Sequence, residues 1–191
     1  MLFIHQNVSA FQCDKFQDNV RQNEYSSRWL ALDVASRGKI KQDSLITLGS
    51  SSVKAGTFAS QVVAAIAAVE LPQGQWPDLI EGLLGFISTT TNTNLKIATL
   101  QSIGFICETI VRLDLFLIQH PRSETNRQKP EILSLRSNEI LSAVIHGARK
   151  EEPSSDVQLA AIHALFNSLE FVRDNFDREV GQNSLLLLKA P

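Results

Sequence analysis

Apolar residues in this chain recur at steps of three and four rather than at every second position, the rhythm of helices that bury one face. One such pattern occurs twice, as Asn94-Leu95-Lys96-Ile97-Ala98-Thr99-Leu100-Gln101-Ser102-Ile103 and as Asp156-Val157-Gln158-Leu159-Ala160-Ala161-Ile162-His163-Ala164-Leu165. Each copy opens on a polar residue suited to capping, then carries Ala or Ser where a neighbouring helix must come close. A weaker copy, Ser60 to Glu70, aligns Ile66 with Ile103 and Glu70 with Glu108 at spacings of 37 and 38 residues. A second kind of helix recurs before these, in Trp76-Pro77-Asp78-Leu79-Ile80-Glu81-Gly82-Leu83-Leu84 and in Ser137-Asn138-Glu139-Ile140-Leu141-Ser142-Ala143-Val144-Ile145. Both begin with a polar cap or Pro and continue in the three-to-four rhythm.

Two helices per repeat predict an all-α fold, a right-handed HEAT/armadillo-type superhelical solenoid of antiparallel helix pairs. The pattern places helices at Lys15–Leu32, Val34–Leu48, Thr57–Leu71, Trp76–Thr89, Asn94–Ile110, Ser137–Arg149 and Ser154–Arg173. Turn chemistry separates them: Gly49-Ser50-Ser51-Ser52, Pro72-Gln73-Gly74-Gln75, Thr89-Thr90-Thr91-Asn92-Thr93, and Arg149-Lys150-Glu151-Glu152-Pro153-Ser154, where Ser154 caps the next helix. One spacing is anomalous. Leu95 and Val157 are 62 positions apart, more than the roughly 40–47 residues of a HEAT or armadillo repeat.

Composition supports helix, with 43% hydrophobic residues and only 6 prolines among 191 residues. A formal charge of −2 leaves no basic footprint, which argues against nucleic acid as a partner. Two cysteines are too few for a disulfide scaffold, and Cys107, on an apolar stripe, reads as a buried thiol in a reducing compartment. The opening Met1-Leu2-Phe3-Ile4-His5-Gln6 is too short for a signal peptide, and no run approaches the roughly 18 apolar residues of a membrane span. The expectation is a soluble intracellular protein without membrane insertion.

No catalytic chemistry converges. His5, His120, His146 and His163 lie in unrelated segments, and His146 with His163, on helices expected to pair, lack carboxylate or thiolate ligands at useful spacing for a metal. No Gly-rich phosphate loop follows a strand. The expectation is a non-enzyme without metal or cofactor, with Lys150-Glu151-Glu152 a solvated turn.

Particular segments go further than periodicity. Arg28-Trp29-Leu30-Ala31-Leu32-Asp33, Gln75-Trp76-Pro77-Asp78-Leu79-Ile80, Ser137-Asn138-Glu139-Ile140-Leu141, Arg149-Lys150-Glu151-Glu152-Pro153, Leu159-Ala160-Ala161 and Asn167-Ser168-Leu169-Glu170-Phe171 stand in the order and spacing of the importin β family of nuclear transport receptors. The chain resembles this family over about Tyr25–Ile110 and Pro130–Glu179, part of the second repeat through the fifth. The resemblance implies a soluble carrier of the cytoplasm, nucleus and nuclear pore that takes up cargo or its importin α adaptor. It also implies contact with Phe-Gly nucleoporins and cargo release by Ran-GTP. The amino-terminal repeats of the family contribute to the Ran surface, and adaptor binding uses repeats beyond this chain's end. It further implies half of a Phe-Gly slot at Leu141, Ser142 and Ile145, completed by a sixth repeat; the plainer reading is that these residues pack the next repeat.

Three segments depart from the family. Met1 to about Asp14 is unmatched, Val111–Gln128 is inserted into the repeats that span residues 15–179, and residues 180–191 form an unmatched tail. Removing Val111–Gln128 restores a spacing of 44. The insertion reads as an in-frame translated intron. Val111 permits a GTN start, Gln128 a CAG end, and Thr125-Asn126 a branch-point-like CTAAC. A lineage-specific loop is the alternative, since solenoids tolerate long loops on one face. Val180 permits another GTN, so the tail reads as read-through to a stop codon. Such a chain exposes apolar helix surfaces at both ends, which predicts marginal stability or self-association. Against the transport reading stand a HEAT-type interaction scaffold without transport activity and a HEAT-type regulatory subunit of an enzyme. The Trp29, Trp76 and Lys150-Glu151-Glu152-Pro153 contexts disfavour the latter.

Overall fold

The computed structural model describes residues 24–119 and 137–169, and all regular structure among them is helical. The chain divides into two compact units, Met1–Gln42 and Asp43–Pro191. The described part of the first begins with helix α1, residues 24–31, carrying an exposed Arg28–Glu24 ion pair at 2.6 Å. Asp33 follows, and its Oδ1 accepts from the Ser36 backbone N–H at 2.9 Å, capping α2, Val34–Leu48. Bonds from the Ser36 side chain and backbone hold the Asp33 carboxyl below its usual range.

The second unit contains α3 (Val53–Glu70), α4 (Leu79–Thr89), α5 (Thr93–Gln119), α6 (Ser137–Ala148) and α7 (residues 155–169). The second helices form one layer, with α3 packed on α5 and α5 meeting α7, while the first helices α4 and α6 pack in the other. The core runs as a stripe between layers through Val63, Leu83, Leu100, Ile103, Ile106, Ile140, Val144 and Val157, each at most 1% exposed. Cys107 is fully buried, and burial pushes its thiol pKa up to about 12.

Small residues let the helices approach, as the sequence implied. A Cβ on Gly104 of α5 would lie 3.1 Å from the Ala164 Cα of α7, and one on Gly147 of α6 would lie 3.1 Å from Ala161 Cβ. The turn after α3 closes on Gly74, whose φ of 66° is the left-handed conformation that glycine adopts without Cβ strain.

Boundaries differ where caps decide them. Helix α2 matches the expected range. Helix α3 starts four residues earlier than expected, at Val53, because the Ser52 hydroxyl accepts from the Ala55 N–H. Helix α4 starts later, since Trp76 is buried in the preceding turn and Pro77 and Asp78 complete that turn. Helix α5 does not end at Ile110 but continues unbroken to Gln119, so the first nine residues of the inserted segment are helical. The remainder of that segment and the expected helix at Lys15–Leu32 before residue 24 lie outside the described residues, as do residues 180–191.

The expectation about membrane-length runs also needs correction. The helical run Val53–Gln73, 21 residues, is long and apolar enough to cross a bilayer by length and composition. Half of its span is buried inside the protein, with Ser60 and Glu70 on the covered side together with Val63, Ile66 and Ala67, so one face of the helix packs the core.

Candidate functional site

Two surfaces flank the helical stack. In the layer of first helices, α6 turns Ile140 and Val144 fully inward, and this fixes where their neighbours point. Ser142 is exposed, Ile145 is 43% exposed and Leu141 is half-buried. The three residues expected from the family resemblance therefore share one turn of α6, with Ile145 and Ser142 open and Leu141 partly covered. The next repeat, against which the plainer reading has them pack, lies outside the described residues.

In the layer of second helices, α5 and α7 leave a groove of about 460 Å³ between them. Ile97, Gln101 and Phe105 line it from α5, and Leu159, His163 and Asn167 line it from α7. Each trio follows the four-residue step that keeps side chains on one helix face. The two trios are also equivalent to one another, because each α7 residue stands 62 positions after its α5 counterpart. The groove was thus written in the repeat alignment, although no single residue marked it. Its walls are aliphatic and aromatic with amide and imidazole groups among them.

Polar contacts gather at one end of this groove. The expected caps Asn94 and Asp156 both line it, while the capping contacts sit two residues earlier. Asn92 Oδ1 accepts from the Asn94 and Leu95 N–H groups at 3.0 and 3.3 Å, and the Ser154 hydroxyl accepts from the Val157 N–H at 3.4 Å. Asn94 is thereby released to donate its side-chain amide to the Ser50 and Ser51 carbonyls at 3.1 and 3.3 Å. Lys96, two residues on, donates to Glu152 Oε2 at 3.1 Å across 56 residues of sequence.

The described histidines do not assemble a site. His146 is exposed on α6 and His163 is exposed in the groove. Among the described residues no three His, Cys, Asp or Glu side chains gather in a way that could hold a metal ion. His5 and His120 lie outside the described residues.

No protein-family model matches the chain. Importin subunit beta-1 of Schizosaccharomyces pombe is 43% identical over 170 residues, which are 89% of this chain and 18% of the relative. Among solved structures, importin beta crystallised from ammonium sulfate superposes with a TM-score of 0.70 at 42% identity, over 86% of this chain and 17% of that one. Yeast Kap95 in complex with Nup1 gives 0.66 at 32% identity, over 88% of this chain and 18% of that one. A structure in which Kap95p induces the switch loops of RanGDP to adopt the GTP-bound conformation gives 0.65 at 29% identity, over 88% of this chain and 17% of that one. The chain therefore spans somewhat under a fifth of the length of the relatives it matches.

Proposed function

The chain is a homologue of importin subunit beta-1 along almost nine tenths of its length, and from that premise we propose that it works as an importin β-type nuclear transport receptor. It carries protein cargo through nuclear pores and moves between cytoplasm and nucleus. The carrying observation is the agreement of sequence and fold over almost nine tenths of the chain, at 43% identity. Residues 15–179 form those repeats, interrupted at 111–128. Binding, not catalysis, is the activity, and Ran-GTP and Phe-Gly nucleoporins are the partners. Support for the partners comes from the complexes of homologous Kap95 with Nup1 and with Ran.

Leu141, Ser142 and Ile145 are the half-site for a Phe-Gly segment. A half-buried Leu beside an exposed Ile on one helical turn offers apolar surface to a Phe ring. Titrating a labelled Phe-Gly peptide into the purified chain tests this by fluorescence anisotropy. Ile145→Asp is expected to weaken binding at least ten-fold, about 1.4 kcal/mol, while leaving the circular dichroism unchanged. Equal affinity for the parent and Ile145→Asp removes the half-site. Absence of binding to both Phe-Gly peptide and Ran-GTP favours a HEAT-type scaffold without transport activity.

A further inference from the structure

We infer that the first turn of α5 is a two-way latch that sets the spacing of successive repeats, and with it the width of the groove between α5 and α7. Toward the preceding helix pair the latch is neutral. Asn94 donates to the Ser50 and Ser51 carbonyls, and Asn92 donates to the Gly49 carbonyl at 3.4 Å. Toward the following pair it is ionic, through Lys96 and Glu152. The same short stretch of helix thus grips the loop between α2 and α3 on one side and the loop between α6 and α7 on the other.

Glu152 has the character of a fixed anchor. Its side chain is 9% exposed against 24% for Lys96, so the carboxylate has lost most of its water and depends on protein partners. Its second oxygen accepts from the Ser154 N–H at 3.4 Å. The backbone around it is held as well: Gln158 of α7 donates to the Arg149 and Glu152 carbonyls at 2.9 and 3.0 Å. The α6–α7 loop and the start of α7 therefore move as one piece with Glu152. Neutralising Lys96 strands a desolvated carboxylate, which regains water by turning outward and takes α7 with it. Asn94 and Asp156 line this end of the groove, so the displacement opens it where the latch sits. A pair this sheltered is screened less by salt than an exposed one, which suits it to hold a geometry.

The test measures repeat spacing directly. Spin labels are placed on Gln61→Cys in α3 and Phe166→Cys in α7, both exposed, in the full chain with Cys13→Ser and Cys107→Ala. Double electron–electron resonance is expected to give one narrow distance for the parent. Lys96→Gln should broaden it and shift it longer, and the charge-swapped Lys96→Glu/Glu152→Lys should restore the narrow distance. Hydrogen exchange on the label-free protein gives a second reading. Lys96→Gln should speed exchange of the Ser154 amide roughly five-fold, the equivalent of a partly exposed pair worth about 1 kcal/mol, with no change at Gly74. Superimposable distance distributions for parent and Lys96→Gln overturn the latch. So does a charge swap that stays as broad as Lys96→Gln while circular dichroism shows the chain folded.

Discussion

At the scale of single residues, the structure separates side chains that fill space from those that direct it. Cys107 fills space: it is fully buried, and its thiol is pushed up to about 12 from an ordinary 9.0 by loss of water. Between these values the unfolded chain releases the proton and the folded chain keeps it. The stabilisation is therefore complete below about pH 9 and lost as pH rises toward 12, by about 1.4 kcal/mol per pH unit. Urea unfolding of the parent and Cys107→Ala from pH 8 to 10.5 checks this. The parent should lose more stability than the variant above pH 9, and a constant difference between them would contradict the assignment. Asn92 and Asn94 direct space instead. The sequence shows both as polar residues before an apolar run, and only the fold reveals that Asn92 caps α5 while Asn94 reaches the preceding loop.

At the scale of elements, the close contacts of α5 account for the stack. Gly104 faces the Ala164 backbone at 3.1 Å from an added Cβ, and a backbone neighbour cannot swing aside as a side-chain tip can. Gly85, in the middle of α4, has no atom within 4 Å of the same position. Gly104→Ala should cost about 1–3 kcal/mol by forcing α5 and α7 apart, and Gly85→Ala should add about 0.5–1 kcal/mol through helix propensity and a less flexible unfolded chain. Thermal unfolding of the two variants distinguishes packing from propensity, and similar changes in both would count against the tight α5–α7 contact. Helix identity was legible from apolar spacing because these helices bury one stripe each. Their ends were less so: Ser52 started α3 early, the turn of Trp76, Pro77 and Asp78 delayed α4, and α5 ran past Ile110. The apolar rhythm does not stop at Ile110, and Val111, Leu113, Leu115 and Phe116 supply nothing that breaks a helix. The groove was missed for a different reason. The two trios that line it are ordinary apolar, amide and imidazole side chains, meaningful only once the two repeats are superposed.

At the scale of the whole molecule, stacking explains why the same sequence pattern is covered in one helix and open in another. Leu100 and Gly104 of α5 are buried, whereas their counterparts in α7, Ile162 and Phe166, are 54% and 74% exposed. The interior helix has a neighbour on each side, and α7 presents the corresponding face to solvent among the described residues. A solenoid built this way binds through extended surfaces rather than one enclosed pocket, which agrees with the open groove between α5 and α7. The central claim, an importin β-type receptor, is tested most directly by titrating Ran into the purified chain by isothermal calorimetry, loaded in turn with a non-hydrolysable GTP analogue and with GDP. The account predicts binding that is at least ten-fold tighter for the GTP form. Equal affinity for the two nucleotide states, or no binding to either, would contradict it.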